Sequence, residues 1–242
     1  MIANYLDADR FYWATLFRDD GAFIYEISAL LKKLVKHDCF AKFVGMKLFD
    51  DTALFDQGKK RFTDFQLPGA DVRLWEQFFA PWDSDAYFTL LQETTPWQQR
   101  TRKMYDKIVL DPRLTTWYGG PNGLEWTEEL LSIRTLVEQE CRIAFNRVLL
   151  NYYRDGNDSV AWHSDTLPAD GKHHAIASVT FGDTRVFKVR HKSRKDIGLS
   201  IPLTHGSFLL MGETMQDHYE HHVPKTARPV GGRINLTFRI SD

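Results

Sequence analysis

The period of the apolar positions changes along this chain. Between Gly21 and Lys36, Phe23, Ile27, Leu30, Leu31 and Leu34 recur at helical spacing, and a lysine-rich end suits a helix C-terminus, so a helix is predicted near 22–36. The stretch from Met46 to Val72 is irregular, broken by Gly58 and Pro68-Gly69, and reads as an extended lead-in. Helical spacing returns through Val72, Leu74, Trp75, Phe78 and Phe79, and again from Ser84, a candidate N-cap, to Leu91. Lys107 to Leu110 and Leu114 to Tyr118 read as strands, bounded by Asp111-Pro112 and Gly119-Gly120. Thr127 is predicted to cap a helix with acids in its first turn and Leu130, Ile133, Val137 and Cys141 in one stripe, packed outside a sheet. After Ala144 nearly everything reads as strand, with turns at Asp155-Gly156, Gly182-Asp183 and His205-Gly206. Helices followed by strands predict an α+β fold: a double-stranded β-helix (jelly roll) core buttressed by N-terminal helices.

Composition narrows the function classes. With 242 residues and 43% hydrophobic content, the chain can bury one large core. A net charge of −1 provides no global field for nucleic acid, so any such binding needs a local basic patch. Cys39 and Cys141, without a C-x-x-C, exclude a disulfide framework and a zinc ribbon. The first residues are acidic where a signal peptide is basic, and no run reaches ~18 apolar residues. No membrane partner is expected, and the location expected is cytoplasmic, or nuclear in a eukaryote. A monomer is expected.

Candidate chemistry lies in the strand-rich half. His163 and Asp165 form an H-x-D pair, and on a strand residues i and i+2 share a face, so both can meet one cation. A third ligand from His218, His221 or His222 would complete the two-histidine, one-carboxylate set that leaves open positions on a non-haem Fe(II). His173, His174, His191 and His205 read as loop or surface residues. In RINLTFR, Arg233, Asn235, Thr237 and Arg239 alternate and line one face. Paired guanidiniums inside a fold are costly unless an anion meets them, and the fork suits a carboxylate. A dicarboxylate beside an iron site means 2-oxoglutarate. Asn151 and Tyr153 also share a face, and RVFKVRHKSRK, from Arg185 to Lys195, holds six basic side chains suited to phosphates.

The blocks NYYRDGNDSVAWHSD, IASVTFGDTRVFKVRHK, HGSFLLMG, HVPKT and RINLTFR, with PRLTTWYG upstream, closely resemble the AlkB family of iron- and 2-oxoglutarate-dependent nucleic-acid demethylases. The resemblance runs from about Pro68 to the C-terminus. It implies a dioxygenase domain over 68–242, preceded by an extension and lead-in over 1–67. MKLFDD resembles the family's short leader, which makes Met46 a possible alternative start. Register with the family's HxVPK selects His221 as the distal ligand beside His163 and Asp165. By resemblance, Arg239 neutralises the iron-chelating end of 2-oxoglutarate and Arg233 its distal carboxylate. Asn151 and Tyr153 hydrogen-bond the same molecule, with Asn235 and Thr237 as weaker contacts. The implied reaction uses O2 and 2-oxoglutarate to hydroxylate an N-alkyl carbon of a base such as 1-methyladenine or 3-methylcytosine, releasing succinate and formaldehyde. The implied partner is DNA or RNA, with a single strand favoured. A base must leave its stack to react, so an aromatic slot is expected, with Tyr105 and Tyr118 as candidates. Arg190 and Lys192 are the expected phosphate contacts.

The chain departs from the family at two places. Asp165 is followed by Thr166-Leu167-Pro168 where many members carry an acidic pair, and PNGLEW replaces a tyrosine-rich segment. Leu167 is therefore expected beside the base, without a carboxylate to select an exocyclic amino group. Two other readings compete: the same chemistry on a protein side chain or small metabolite, and a non-catalytic nucleic-acid-binding jelly roll.

Overall fold

The computed structural model of the chain describes residues 62–240, except 105, 167 and 169–173. The helix predicted near 22–36 and the start proposed at Met46 lie outside the described residues. Strands in chain order are β1 (Thr63–Leu67), β2 (Ala70–Trp75), β3 (Thr101–Met104), β4 (Lys107–Leu110), β5 (Leu114–Gly119), β6 (Arg147–Tyr153) and β7 (Val160–His163). They continue with β8 (Ile176–Gly182), β9 (Arg185–His191), β10 (Gly198–Leu203), β11 (Ser207–Met211), β12 (Tyr219–Val223) and β13 (Arg233–Arg239). The helices are α1 (Pro81–Thr94), α2 (Glu128–Cys141) and a single turn, α3 (Met215–His218).

Antiparallel pairing joins these strands into a seven-stranded sheet of order β1-β2-β11-β8-β13-β6-β5 and a four-stranded sheet of order β10-β9-β12-β7, with β3-β4 as a separate hairpin. These are the two sheets of a jelly roll. Since successive side chains point to opposite faces, the larger sheet feeds two cores. On one face Val148, Leu150, Val179, Phe181, Ile234, Leu236 and Phe238 pack with Leu91 of α1 and with Leu130, Ile133 and Val137 of α2. On the other, Val72, Leu74, Ile176, Leu209 and Met211 meet Phe187, Val189, Ile201, Leu203, Tyr219 and Val223 from the smaller sheet. Burying each of these large side chains contributes roughly 1.5–3 kcal/mol. The intersheet layer is interrupted by the polar face of β13, which is where the candidate site lies.

The Thr127 cap is present: its side chain accepts from Leu130 N–H at 3.4 Å, and the predicted stripe of α2 faces the sheet. Two local expectations are corrected. Val72 to Phe79 is not helical: Gly69, at φ 72°, turns β1 into β2, which pairs with β1 on one side and β11 on the other. The same apolar positions fit both periods, and pairing on both edges decided for strand. Ser84 is not an N-cap, because α1 begins three residues earlier with Pro81 at its first position, where the missing N–H costs nothing. Ser84 is instead buried beneath Gly206, whose φ of 76° forms the turn into β11. Among the described residues no helix is long and apolar enough to cross a membrane.

Candidate active site

β7 delivers His163 and, just past its end, Asp165, while β12 places His221 directly opposite His163 in register. The two imidazoles lie 4.4 Å apart, tilted by 58°. The candidate ligand atoms of His163, Asp165 and His221 all fall within 4.8 Å of one another. His163 Nδ1 is 2.8 Å from the Ala161 carbonyl, which assigns its proton there and turns Nε2 toward Asp165 Oδ1, 3.9 Å away. His221 is buried, with the Phe187 ring 5.1 Å away, and its Nδ1 has no hydrogen-bond partner among the described residues. Burial pushes its pKa down to about 4 despite the opposing charge of Asp165, so the ring is neutral near pH 7 and free to donate a lone pair.

Burial alone would raise the Asp165 carboxyl, but Arg239, His221 and His163 outweigh it and hold the group below its ordinary value. The Asp165 carboxylate accepts from Arg239 Nη2 at 2.7 Å, and its backbone N–H donates to Gln216 Oε1 at 2.8 Å, so side chain and backbone are each held. The competing histidines sit elsewhere. His222 points to the opposite face of β12 and stacks on Trp162 at 3.8 Å, and His218 lies 6.3 Å from His191. His205 accepts from the Gly182 N–H at 2.8 Å in a turn.

The arginine face of β13 lies beside this cluster. Arg233 is 1% exposed; Nη2 donates to Thr180 Oγ1 at 2.9 Å, while Nε and Nη1 are buried without partners among the described residues. Burial pushes its pKa down to about 10, with Tyr153 acting the other way, so the guanidinium stays charged at neutral pH. The Tyr153 ring centroid is 5.2 Å from its Cζ. Arg239 keeps a buried Nε without a partner among the described residues, besides its bond to Asp165. Two guanidiniums with unused in-plane donors on one face are what a bound dicarboxylate would complete, and three lone-pair donors beside them suit a divalent metal. Asn235 is occupied differently: it donates to Ser178 Oγ at 2.8 Å and the Val179 carbonyl at 2.9 Å, and accepts from Thr237 at 3.4 Å. It holds β13 to β8.

The intervening cleft is lined by His163, Asp165, His221, Asn151, Tyr153, Asn235, Thr237 and Arg239. It also includes residues not singled out from sequence: Arg113, Leu149, Val160, Ser178, Phe187, Met211 and Val223. Arg113 donates from Nε to Asn151 Oδ1 at 2.8 Å. Alternation of Arg113 with Thr115 and Trp117 was the available signal for its face. The apolar liners carried none that separates them from ordinary core.

The substrate candidates fare less well. Tyr118 is 4% exposed and packs in the helix-side core, on the face of β5 opposite Asn151's neighbour Thr115. It does not reach the cleft, and Trp117 takes the cleft-side face instead. Tyr105 and Leu167 lie outside the described residues. Arg190 donates to Glu220 Oε1 at 2.6 Å and covers the Trp162 ring at 3.9 Å, and Lys192 donates to the Gln216 carbonyl at 2.7 Å. Arg185 is buried, donating to the carbonyls of Asp155, Asp158 and Pro224. The basic stretch therefore spends much of its donor capacity within the fold.

A jelly roll with two histidines and one aspartate on its inner face, beside a buried guanidinium that lacks a counter-ion among the described residues, defines a metal- and oxoacid-binding class of protein. The model of the 2OG-Fe(II) oxygenase superfamily matches residues 71–239, and the chain belongs to that superfamily. Its members use Fe(II), 2-oxoglutarate and O2. Among its relatives, a Bos taurus protein named alpha-ketoglutarate-dependent dioxygenase alkB homolog 3 is 39% identical over 65% of this chain and 61% of its own length. The Homo sapiens protein of the same name is 35% identical over 69% of this chain and 65% of its own. The Homo sapiens DNA oxidative demethylase ALKBH2 is 37% identical over 47% of this chain and 46% of its own. The chain thus spans less than two thirds of the length of these three relatives. The solved structure of OsALKBH1 shares the fold, with a TM-score of 0.55 and 16% identity over 73% of this chain and 100% of that one. The AlkB-type resemblance seen in the sequence blocks is the one these relatives show.

Proposed function

We propose that this chain is an Fe(II)- and 2-oxoglutarate-dependent dioxygenase that oxidatively dealkylates N-alkylated bases of the 1-methyladenine and 3-methylcytosine type in DNA or RNA. The observation that carries this reading is Arg233: a fully buried guanidinium with two donors unpartnered among the described residues, on the inner face of the larger sheet, opposite the smaller sheet from which β7 and β12 present His163 and His221. In this reading His163, Asp165 and His221 hold the iron. Arg239 receives the chelating end of 2-oxoglutarate and Arg233 the distal carboxylate, with Asn151 and Tyr153 completing the contacts and Thr237 adjacent. Bound Fe(II), with O2 and 2-oxoglutarate, supplies the oxidising power that hydroxylates the N-alkyl carbon, after which the hemiaminal releases formaldehyde.

The chain's own residues prepare that chemistry. The Ala161 carbonyl fixes the His163 tautomer, and Arg239 orients Asp165. Phe187, Met211, Val160 and Val223 keep the cleft wall apolar and exclude water. We assign the dioxygenase domain to 68–242, with β1, just ahead of it, adding an edge strand to the larger sheet. The expected substrate is single-stranded, the protein a monomer, and its location cytoplasmic or nuclear.

The test is release of formaldehyde and succinate with single-stranded oligonucleotides bearing 1-methyladenine or 3-methylcytosine. Stoichiometric release supports the proposal. A second reading, the same chemistry on a protein side chain or metabolite, draws on the internal pairing of Arg185, Arg190 and Lys192. Turnover of 2-oxoglutarate indifferent to methylated oligonucleotides would favour it.

A further inference from the structure

Beyond the metal and cosubstrate residues, a second cationic cluster adjoins the Asp165–Arg239 end of the cleft. Arg147 stands directly across from Arg239 in the β6–β13 register, so the two guanidiniums project from one face of neighbouring strands. Like charges placed opposite each other destabilise a sheet unless something intervenes. Arg239 is met by Asp165, whereas no carboxylate among the described residues pairs with Arg147. Its Cζ instead lies 4.1 Å from the Trp117 ring centroid, and Arg239's lies 5.8 Å from the same ring. Burial, followed by the charges of Arg239 and Arg100, pushes the Arg147 pKa down.

The geometry of the stack says which anion. A guanidinium lying over an indole uses its face for the cation–π contact and leaves its N–H groups in the plane; Arg147 Nε is buried, so the two terminal nitrogens, without a hydrogen-bond partner among the described residues, form the fork that can face outward. A planar fork of free donors matches two oxygens of a phosphate. From the convergence of Arg147 and Arg239 on Trp117, we propose that Arg147, propped on Trp117, is a positioning residue that grips a backbone phosphate of the substrate strand beside the base to be treated. This rests on the nucleic-acid reading above and deepens it. It places a phosphate contact where the sequence pattern did not, at the start of β6 rather than on Arg190 and Lys192. Trp117, half-buried and lying between two cations, serves as the prop.

The test is fluorescence anisotropy of a labelled single-stranded oligonucleotide bearing 1-methyladenine, measured over a salt series with Mn(II) and 2-oxoglutarate present and oxygen excluded. Arg147→Gln should raise Kd about tenfold at fixed salt and reduce the salt slope by about one phosphate contact. Arg147→Lys should recover the slope, because the charge remains, but not the full affinity, because the fork is lost. 1-Methyladenosine, which has no phosphate, should bind wild type and Arg147→Gln alike. Thermal unfolding checks that each variant is folded, and Arg147→Lys keeps the test usable if Arg147→Gln is not. An unchanged slope in Arg147→Gln with a binding-competent wild type overturns this inference alone. An equal loss on the nucleoside would make Arg147 a base contact, and a loss of 2-oxoglutarate affinity would assign the cluster to the cosubstrate; either overturns it. A wild type that ignores the oligonucleotide sinks both this inference and the function it rests on.

Discussion

Replacing Arg233 by Met separates what the residue costs the fold from what it contributes to binding. Met fills most of the aliphatic volume but removes a charge that is 1% exposed, donates to Thr180 and has no carboxylate partner among the described residues. Burial has already pushed the guanidinium's pKa down to about 10, so the fold disfavours the charge where no ligand answers it. The ligand-free variant should therefore unfold at the same temperature as wild type or higher, since replacing an unpaired buried charge by an apolar group is neutral or stabilising. Binding should move the other way. A distal carboxylate held without its counter-charge loses about 3–5 kcal/mol, a roughly 150- to 5,000-fold weaker 2-oxoglutarate Kd. At a concentration one hundredfold above the wild-type Kd, the ligand stabilises wild type by about 2.7 kcal/mol, but the variant by only about 0.3 kcal/mol even at the mild end. The assay is thermal unfolding with and without 2-oxoglutarate, Mn(II) present and oxygen excluded, checked by calorimetric titration. An unaltered 2-oxoglutarate affinity would refute the reasoning, because the unpartnered donors would then face something else. So would a ligand-free variant that is much less stable, because the guanidinium would then be a structural anchor.

Three further outcomes follow from the same geometry. His221→Ala should abolish stoichiometric Mn(II) binding, read by equilibrium dialysis, while His218→Ala and His222→Ala retain it; the reverse pattern would reassign the ligand. Asp158 accepts from Arg154 at Nε and Nη2, both at 2.8 Å, and from its backbone N–H at 2.9 Å, so Asp158→Asn should cost about 2 kcal/mol in urea unfolding at pH 7. Burial alone would raise the Asp158 carboxyl, but its bonds to Arg154 hold it below the ordinary value, so its stabilisation is complete above the unfolded pKa and lost as pH falls through the folded one. The difference between wild type and Asp158→Asn should therefore shrink below about pH 4; a pH-independent gap would count against it. Residues Lys59–Asp242 form a compact unit of their own, so a chain beginning at Met46 should remain folded and turn over 2-oxoglutarate; insoluble or inactive protein would show that the preceding residues cover core surface.

What the sequence determined by itself was whatever a single repeat period could express. The alternation in RINLTFR assigns Arg233, Asn235, Thr237 and Arg239 to one face before any partner strand is known, and the spacing of His163 and Asp165 does the same for two ligands. The stripe of Leu130, Ile133 and Val137, with Thr127 ahead of it, is equally local, and the structure shows that helix and its cap. Relations between strands were decided only by tertiary structure. Val72 to Trp75 became a strand because two neighbours claimed its edges, and the spacing of its apolar residues could not foretell them. Trp117 and Tyr118 alternate, but which of them faces the cleft depends on β5 pairing with β6 in the register that sets Thr115 against Asn151. Where both faces of a sheet are buried, hydrophobicity does not tell inside from outside. Charge counting by itself does not say how much donor capacity Arg185, Arg190 and Lys192 keep, for a related reason. A cation's availability is set by the carbonyls and carboxylates that folding brings to it, and for these three they come from segments distant in the chain, at Asp158, Glu220 and Gln216.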